Sequence, residues 1–210
     1  MKFYILILIG ILFISCGKKQ SKVITEETTV LIKQYNGFDA SEVDSLSSIL
    51  QKVYGVKTVI ASNQELYSKA FINAKSPRYR ADSIIKFQKV ALNDSINYVL
   101  GLTSKDISTS KKDKSGNVLK PEYKYQDWGI MGLAYCPGNS CIVSSFRLKT
   151  KNATIYMDRL KKVTVHEFGH NLGLPHCPNK KCVMTDAVET VSTIDNANLE
   201  LCKDCKLKLN

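Results

Sequence analysis

All three histidines of this 210-residue chain fall in one short run, as His166, His170 and His176. The stretch His166-Glu167-Phe168-Gly169-His170-Asn171-Leu172-Gly173-Leu174-Pro175-His176 constrains the fold more than any other segment. Residues four apart on an α-helix lie about 40° apart around its axis and one turn apart along it. His166 and His170 on a helix can therefore aim both imidazoles at one ion. Gly173 lets the chain leave that helix sharply with φ > 0, and Pro175 keeps the helix from resuming. His176 can then return as a third ligand, leaving a fourth position for water or substrate. The spacing predicts a helix that ends at the glycine and a metal site at its end.

The second residue of the run gives that site a chemistry. Glu167 projects beside the ion rather than onto it, which puts a carboxylate next to a zinc-activated water. Zinc lowers the pKa of such a water towards 7, and Glu167 can accept its proton and pass it to a leaving amine. This reading makes the chain a zinc-dependent hydrolase of peptide bonds. Its rival is a lipid-anchored protein that keeps the zinc and cleaves nothing.

The start of the chain is a targeting segment. Lys2 is a short positive region, and Phe3 to Ile14 form an apolar run broken only by Gly10. A membrane-spanning helix needs ~20 apolar residues, so this run is too short to span comfortably. It ends in Leu12-Phe13-Ile14-Ser15-Cys16-Gly17, which resembles a bacterial lipobox. That resemblance implies cleavage before Cys16 and lipidation of its thiol, anchoring the protein to a membrane of the bacterial cell envelope, periplasm-facing or at the surface. Residues 1–15 are thus read as a signal peptide, 16–27 as a tether and 28–210 as the catalytic domain.

Of the seven cysteines, Cys16 leaves six, in three close pairs: Cys136 with Cys141, Cys177 with Cys182, and Cys202 with Cys205. In an exported protein, paired cysteines suggest disulfides. The last four also suit a tetrahedral four-thiolate zinc site, since a disulfide across only two residues is strained. Cys136 and Cys141 flank a turn, and a disulfide closing that turn is expected.

Element signals outline an α/β domain. Thr28–Tyr35 reads as a strand, Phe38–Tyr54 as a helix capped by Asp39 or Ser41 and stopped by Gly55, and Val56–Ala61 as a second strand, a β-α-β opening with parallel strands. Ala81–Leu92 looks helical, and Asn97–Thr103 reads as a third strand. Residues 62–80 are ambiguous, and 105–126 reads as a long polar surface connection. Trp128–Tyr135 and Ile142–Leu148 read as a hairpin, followed by a helix over Asp158–Leu172.

From His166 onward the spacing is HExxHxxGxxHC, four residues, Cys182, one residue, Met184, seventeen residues, then Cys202-x-x-Cys205. This string resembles the archaemetzincin family of zinc metallopeptidases. The resemblance implies a metzincin-like fold: a twisted mixed sheet, an active-site helix and a small zinc-stabilised C-terminal lobe. It implies two zinc ions, a catalytic one on His166, His170 and His176 and a structural one on Cys177, Cys182, Cys202 and Cys205. It makes Glu167 the general base and Met184 the residue packed beneath the metal site, and it marks Ile142–Leu148 as the sheet edge along which a peptide would pair.

The formal charge of +11 comes from lysines spread along the chain rather than gathered in a stripe. It is read as a solvated surface and not as a nucleic-acid interface. The expected partners are a peptide or protein substrate and, through Cys16, a membrane; the chain is expected to work as a monomer.

Overall fold

The computed structural model describes residues 25, 27–186 and 190–209. The expected signal segment, Cys16 and nearly all of the tether lie outside the described residues.

The opening β-α-β unit forms as its sequence dictates. Strand β1 (Thr29–Tyr35) leads to helix α1 (Ala40–Tyr54) and back to β2 (Lys57–Ile60), which pairs parallel to β1. The Asp39 side chain accepts the backbone N–H groups of Ser41 and Glu42, so it is the N-cap. Gly55, at φ +68°, closes the helix with its N–H on the Gln51 carbonyl. Val43, Leu46 and Leu50 bury one face of α1.

The ambiguous stretch after β2 makes two short strands, β3 (Phe71–Ile72) and β4 (Arg78–Arg80), then helix α2 (Ala81–Gln88). Strand β5 (Tyr98–Thr103) follows. The expected surface connection is in part structural: it contains β6 (Ile107–Thr109), buried Asp106 and a single helical turn, α3 (Glu122–Tyr125). Its polar composition reflects a buried ion network as well as solvent contact. Arg78 and Arg147 both donate to Asp106, and Arg78 also stands 3.4 Å from Asp127 Oδ1.

The expected strand over Trp128–Tyr135 is two strands in different sheets: β7 (Trp128–Ile130) and β8 (Gly132–Ala134). Strand β9 (Ser140–Ser144) completes the hairpin with β8. The main sheet runs β2-β1-β5-β9-β8, parallel except for β8. Strands β5 and β9 are buried along their whole length, because both faces of the sheet are covered. One face packs on α1 and the active-site helix α4 (Ala153–Asn171); the other packs on α2 and the small sheet β3-β4-β6-β7. The sheet edge is therefore β8, not the Ile142–Leu148 segment: β9 lies between β5 and β8.

The expected disulfide between Cys136 and Cys141 is not formed, and both thiols are free. Cys141 is paired into β9 and fully buried, while Cys136 turns its thiol to the Leu174 carbonyl at 3.3 Å. The turn is held instead by Asn171, whose side-chain amide donates to the carbonyls of Tyr135 and Ser140 and whose own carbonyl accepts Gly138 N–H.

Beyond α4 the chain forms two short helices, α5 (Val191–Asn196) and α6 (Lys203–Leu207). Arg159 of α4 grips Asp195 of α5 through two bonds of 2.7 Å.

Candidate metal centres and active site

Helix α4 begins earlier than its apolar pattern predicts, at Ala153, capped by the Asn152 side chain on Thr154 and Ile155 N–H. Its first turn is exposed, so it carries no burial signal. Its last turn carries the site. Phe168 is fully buried between Tyr54 and Tyr98, edge-on to both at 5.3 Å, which turns His166, Glu167 and His170 towards the opposite side. Gly173 takes φ +94° and bonds its N–H to the His170 carbonyl, the sharp exit the sequence predicts.

The three imidazoles converge, each offering a nitrogen within 4.8 Å of the others. His166 Nε2 and His170 Nε2 stand 3.0 Å apart. The outer nitrogens explain the aim. His166 Nδ1 donates to the Val183 carbonyl at 2.8 Å, and His170 Nδ1 donates to the Leu174 carbonyl at 2.7 Å. A carbonyl can only accept, so Nδ1 carries the proton in both rings and Nε2 presents its lone pair inward. His176 Nδ1 stands 3.6 Å from Asp186 Oδ2. Burial pushes the pKa of His166 down to about 3, helped by neighbouring His170, and lowers that of His170 as well. Neutral imidazoles with converging lone pairs are a donor set that fits zinc.

Glu167 is buried against the edge strand. A methyl group on Gly132 would come within 2.5 Å of Glu167 Cγ and 2.7 Å of its Oε1. Only a glycine lets β8 lie this close to the carboxylate. Burial raises the Glu167 pKa to about 8, marking a carboxylate largely stripped of water. A cleft of about 690 Å³ opens over it. The Gly132–Ala134 strand, His166, Glu167, His170 and His176 line one part of that cleft.

Met184 is buried beneath the site, its Sδ within 2.5 Å of where a Cβ on Gly169 would lie. Tyr54 Oη is nearly as close, at 2.8 Å, and donates to the Val165 carbonyl of α4.

The four C-terminal cysteines form a second cluster, with all sulfurs within 4.8 Å of one another. Cys177 and Cys202 are 3.7 Å apart, and Cys182 and Cys205 are 3.8 Å apart. A disulfide would require about 2.05 Å. Tetrahedral thiolates at about 2.3 Å from zinc stand about 3.8 Å from each other, which is the spacing observed. The backbone N–H of Cys205 and neighbouring thiols pull the Cys202 pKa down to about 7, so one thiol is readily ionised.

Residues 33–210 match the profile of Peptidase family M54. The chain belongs to the archaemetzincins, peptidase family M54. Archaemetzincin from Halobacterium salinarum is 31% identical over 169 residues, covering 76% of this chain and 87% of that protein. The Archaeoglobus fulgidus protein is 29% identical over 167 residues, covering 80% and 90%. The crystal structure of the latter, complexed with malonate, superposes with a TM-score of 0.67 at 26% identity, over 86% of this chain and 99% of that one. The Methanopyrus kandleri archaemetzincin shares the fold, with a TM-score of 0.70 at 24% identity over 88% and 94%. The chain is a zinc metallopeptidase, and its mixed α/β architecture is that of the family.

Sequence reasoning overlooked Gly132, Gly169 and Asn171, along with the carbonyls of Val183 and Leu174. Gly169 stood inside the histidine run and was a readable signal. Backbone carbonyls leave no trace in a sequence.

Proposed function

We propose that this archaemetzincin hydrolyses peptide bonds with Glu167 as general base, outside the cytoplasm, on a lipid anchor at Cys16. The observation that carries the catalytic part is the placement of the Glu167 carboxylate: desolvated, pressed on Gly132, and adjacent to the three-histidine cluster at the base of an open cleft.

Zinc held by His166, His170 and His176 would supply a Lewis acid that acidifies water and polarises the scissile carbonyl. Glu167 takes the proton from the attacking water and delivers it to the leaving amine. A substrate backbone lies along β8, adding a strand to the free edge of the main sheet. The Val183 and Leu174 carbonyls hold the tautomers of His166 and His170 throughout. A second zinc on Cys177, Cys182, Cys202 and Cys205 is structural, a reading supported by the sulfur spacings. The lipid anchor rests on the lipobox-like segment ending in Cys16.

The decisive comparison is wild type against Glu167→Gln on a peptide library, with zinc counted in both. The reading requires two zinc ions per chain in each protein and cleavage by the wild type alone. Equal product profiles, with zinc retained, would leave a zinc-binding protein without catalytic activity. Fractionation of cells expressing wild type and Cys16→Ala tests the anchor, which predicts loss of membrane association in the variant.

A further inference from the structure

Charges of both signs line the cleft. Its carboxylates, Glu167 and Asp186, sit beside the histidines. Three cations also line it, set back from Glu167: Arg147 lies on Gly129, three residues before the Gly132 that faces Glu167, Lys111 lies over Trp128, and Lys162 is one helical turn before His166. For two of them the paired acid stands behind the wall: Asp158 beside Lys162 and Asp106 beside Arg147 are not part of the lining.

Lys162 is the cation tied most closely to the metal site. It precedes His166 by four residues on α4, so the two share a helix face one turn apart. Its side chain is only 8% exposed, and it lines the cleft together with Val163, Val191 and Ile194. Asp158 stands 2.6 Å from its Nζ and Asp195 also acts on it, but those carboxylates are 44% and 36% exposed and therefore well hydrated. An ammonium has three donors. A nearly buried ammonium with water-screened partners gains from a further carboxylate that enters the drier side, where the local dielectric is low.

Arg147 extends the same surface. Its Nε and Nη2 hold Asp106 at 2.8 and 2.9 Å, and its guanidinium lies on the bare Cα of Gly129. Lys111 Nζ sits 4.0 Å above the Trp128 ring. Each cation is fixed in place by a neighbour, so the cationic lining is preorganised.

We infer that this cationic lining binds a carboxylate of the substrate, with Lys162 as the specificity-determining contact next to the scissile bond. The inference rests on the peptidase reading for its substrate class. The carboxylate belongs either to an acidic side chain or to the C-terminus of the peptide. Cationic side chains are rejected there by like charge.

Binding to zinc-loaded Glu167→Gln, measured by titration calorimetry, tests this without turnover. Peptides differing only by Glu, Gln or Lys at one position are compared, each with a free and an amidated C-terminus. The best carboxylate-bearing peptide should bind about tenfold more tightly than its neutral counterpart, the scale of one charge-assisted hydrogen bond. Loss of that preference on amidation assigns it to the terminus; retention assigns it to the side chain. Lys162→Met in the same background should bring the ratio within about twofold. Equal binding of charged and neutral peptides, or a preference surviving Lys162→Met, overturns the inference. The comparison of peptides on Glu167→Gln alone needs no Lys162 variant, so misfolding of that variant does not remove the test. Failure of the wild type to cleave any peptide would sink the peptidase reading, while the binding ratio still decides the carboxylate site.

Discussion

The backbone carbonyl of Val183 accepts the Nδ1–H of His166 at 2.8 Å, which joins the histidine site to the cysteine cluster through a single residue. Val183 follows Cys182 directly, its N–H is bonded to the Glu200 carbonyl, and Cys202 N–H points to Cys182 Sγ at 3.3 Å. Next to it, Cys177 N–H bonds the Met184 carbonyl. The orientation of the His166 imidazole is thus tied to the C-terminal lobe through Val183.

Loosening the lobe should therefore weaken the distant site. Cys205→Ser is expected to lower zinc affinity at the histidines by about 10–100-fold, the usual cost of losing a partner that orients a metal ligand. Competition with a chromophoric chelator measures this. An unchanged affinity at the histidine site would mean that Val183 holds its place without the cluster.

Gly132→Ala places a methyl group into the Glu167 carboxylate. The carboxylate must move or β8 must lift, and a shift of about 1 Å at a reacting group can cost ~100-fold in rate. Zinc content should stay at the wild-type level, because the three atoms nearest the new methyl all belong to Glu167 and none to a histidine. Steady-state kinetics with metal analysis reads both, and wild-type kcat would refute the predicted clash.

Gly169→Ala tests the packing under the helix. The added Cβ would meet Met184 Sδ at 2.5 Å and Tyr54 Oη at 2.8 Å. Overpacking of this kind costs ~1–3 kcal/mol. Thermal unfolding should report the loss, and combining it with Met184→Ala should recover part of it, since the two sites share the same space.

The Arg159–Asp195 pair predicts an acid dependence. Hydrogen bonding from Arg159 holds the Asp195 carboxyl below its usual range. A depressed carboxyl stabilises the fold above its unfolded pKa of about 3.9, and that stability is lost as pH falls through the lower folded value. Asp195 is 36% exposed, so the pair is screened and its worth is ~1 kcal/mol or less. The unfolding temperatures of wild type and Asp195→Asn should differ most above pH 5 and converge as the pH drops below 4. A gap that is constant with pH would remove the electrostatic account.

Much of this fold was legible in local patterns. Asp39 and Gly55 bracket α1 with the chemistry that helix ends require, and Gly173 ends α4 where its freedom at positive φ is needed. The β-α-β opening followed from those boundaries. The early start of α4 did not, because an exposed first turn has no apolar periodicity to read. Nor did the split at Met131, where a continuous apolar stretch divides between two sheets: residue type is the same on both sides of the break, and only the partners differ.

The cysteines make the same point. Cys136 and Cys141 invite a disulfide on spacing alone, yet one thiol is sealed in β9 and the other faces the Leu174 carbonyl. Pairing depends on where side chains point, which the hairpin register sets.

The sequence by itself determined the histidine and cysteine clusters of this protein, since the spacings from His166 to Cys205 encode local turns and helix faces that bring these side chains together. Tertiary structure alone decided which strand became the sheet edge, which glycine admits Glu167, and which carbonyls orient the histidines. Those relations join residues far apart in the chain, and they arise only when both faces of the sheet are covered and β8 is brought down onto α4.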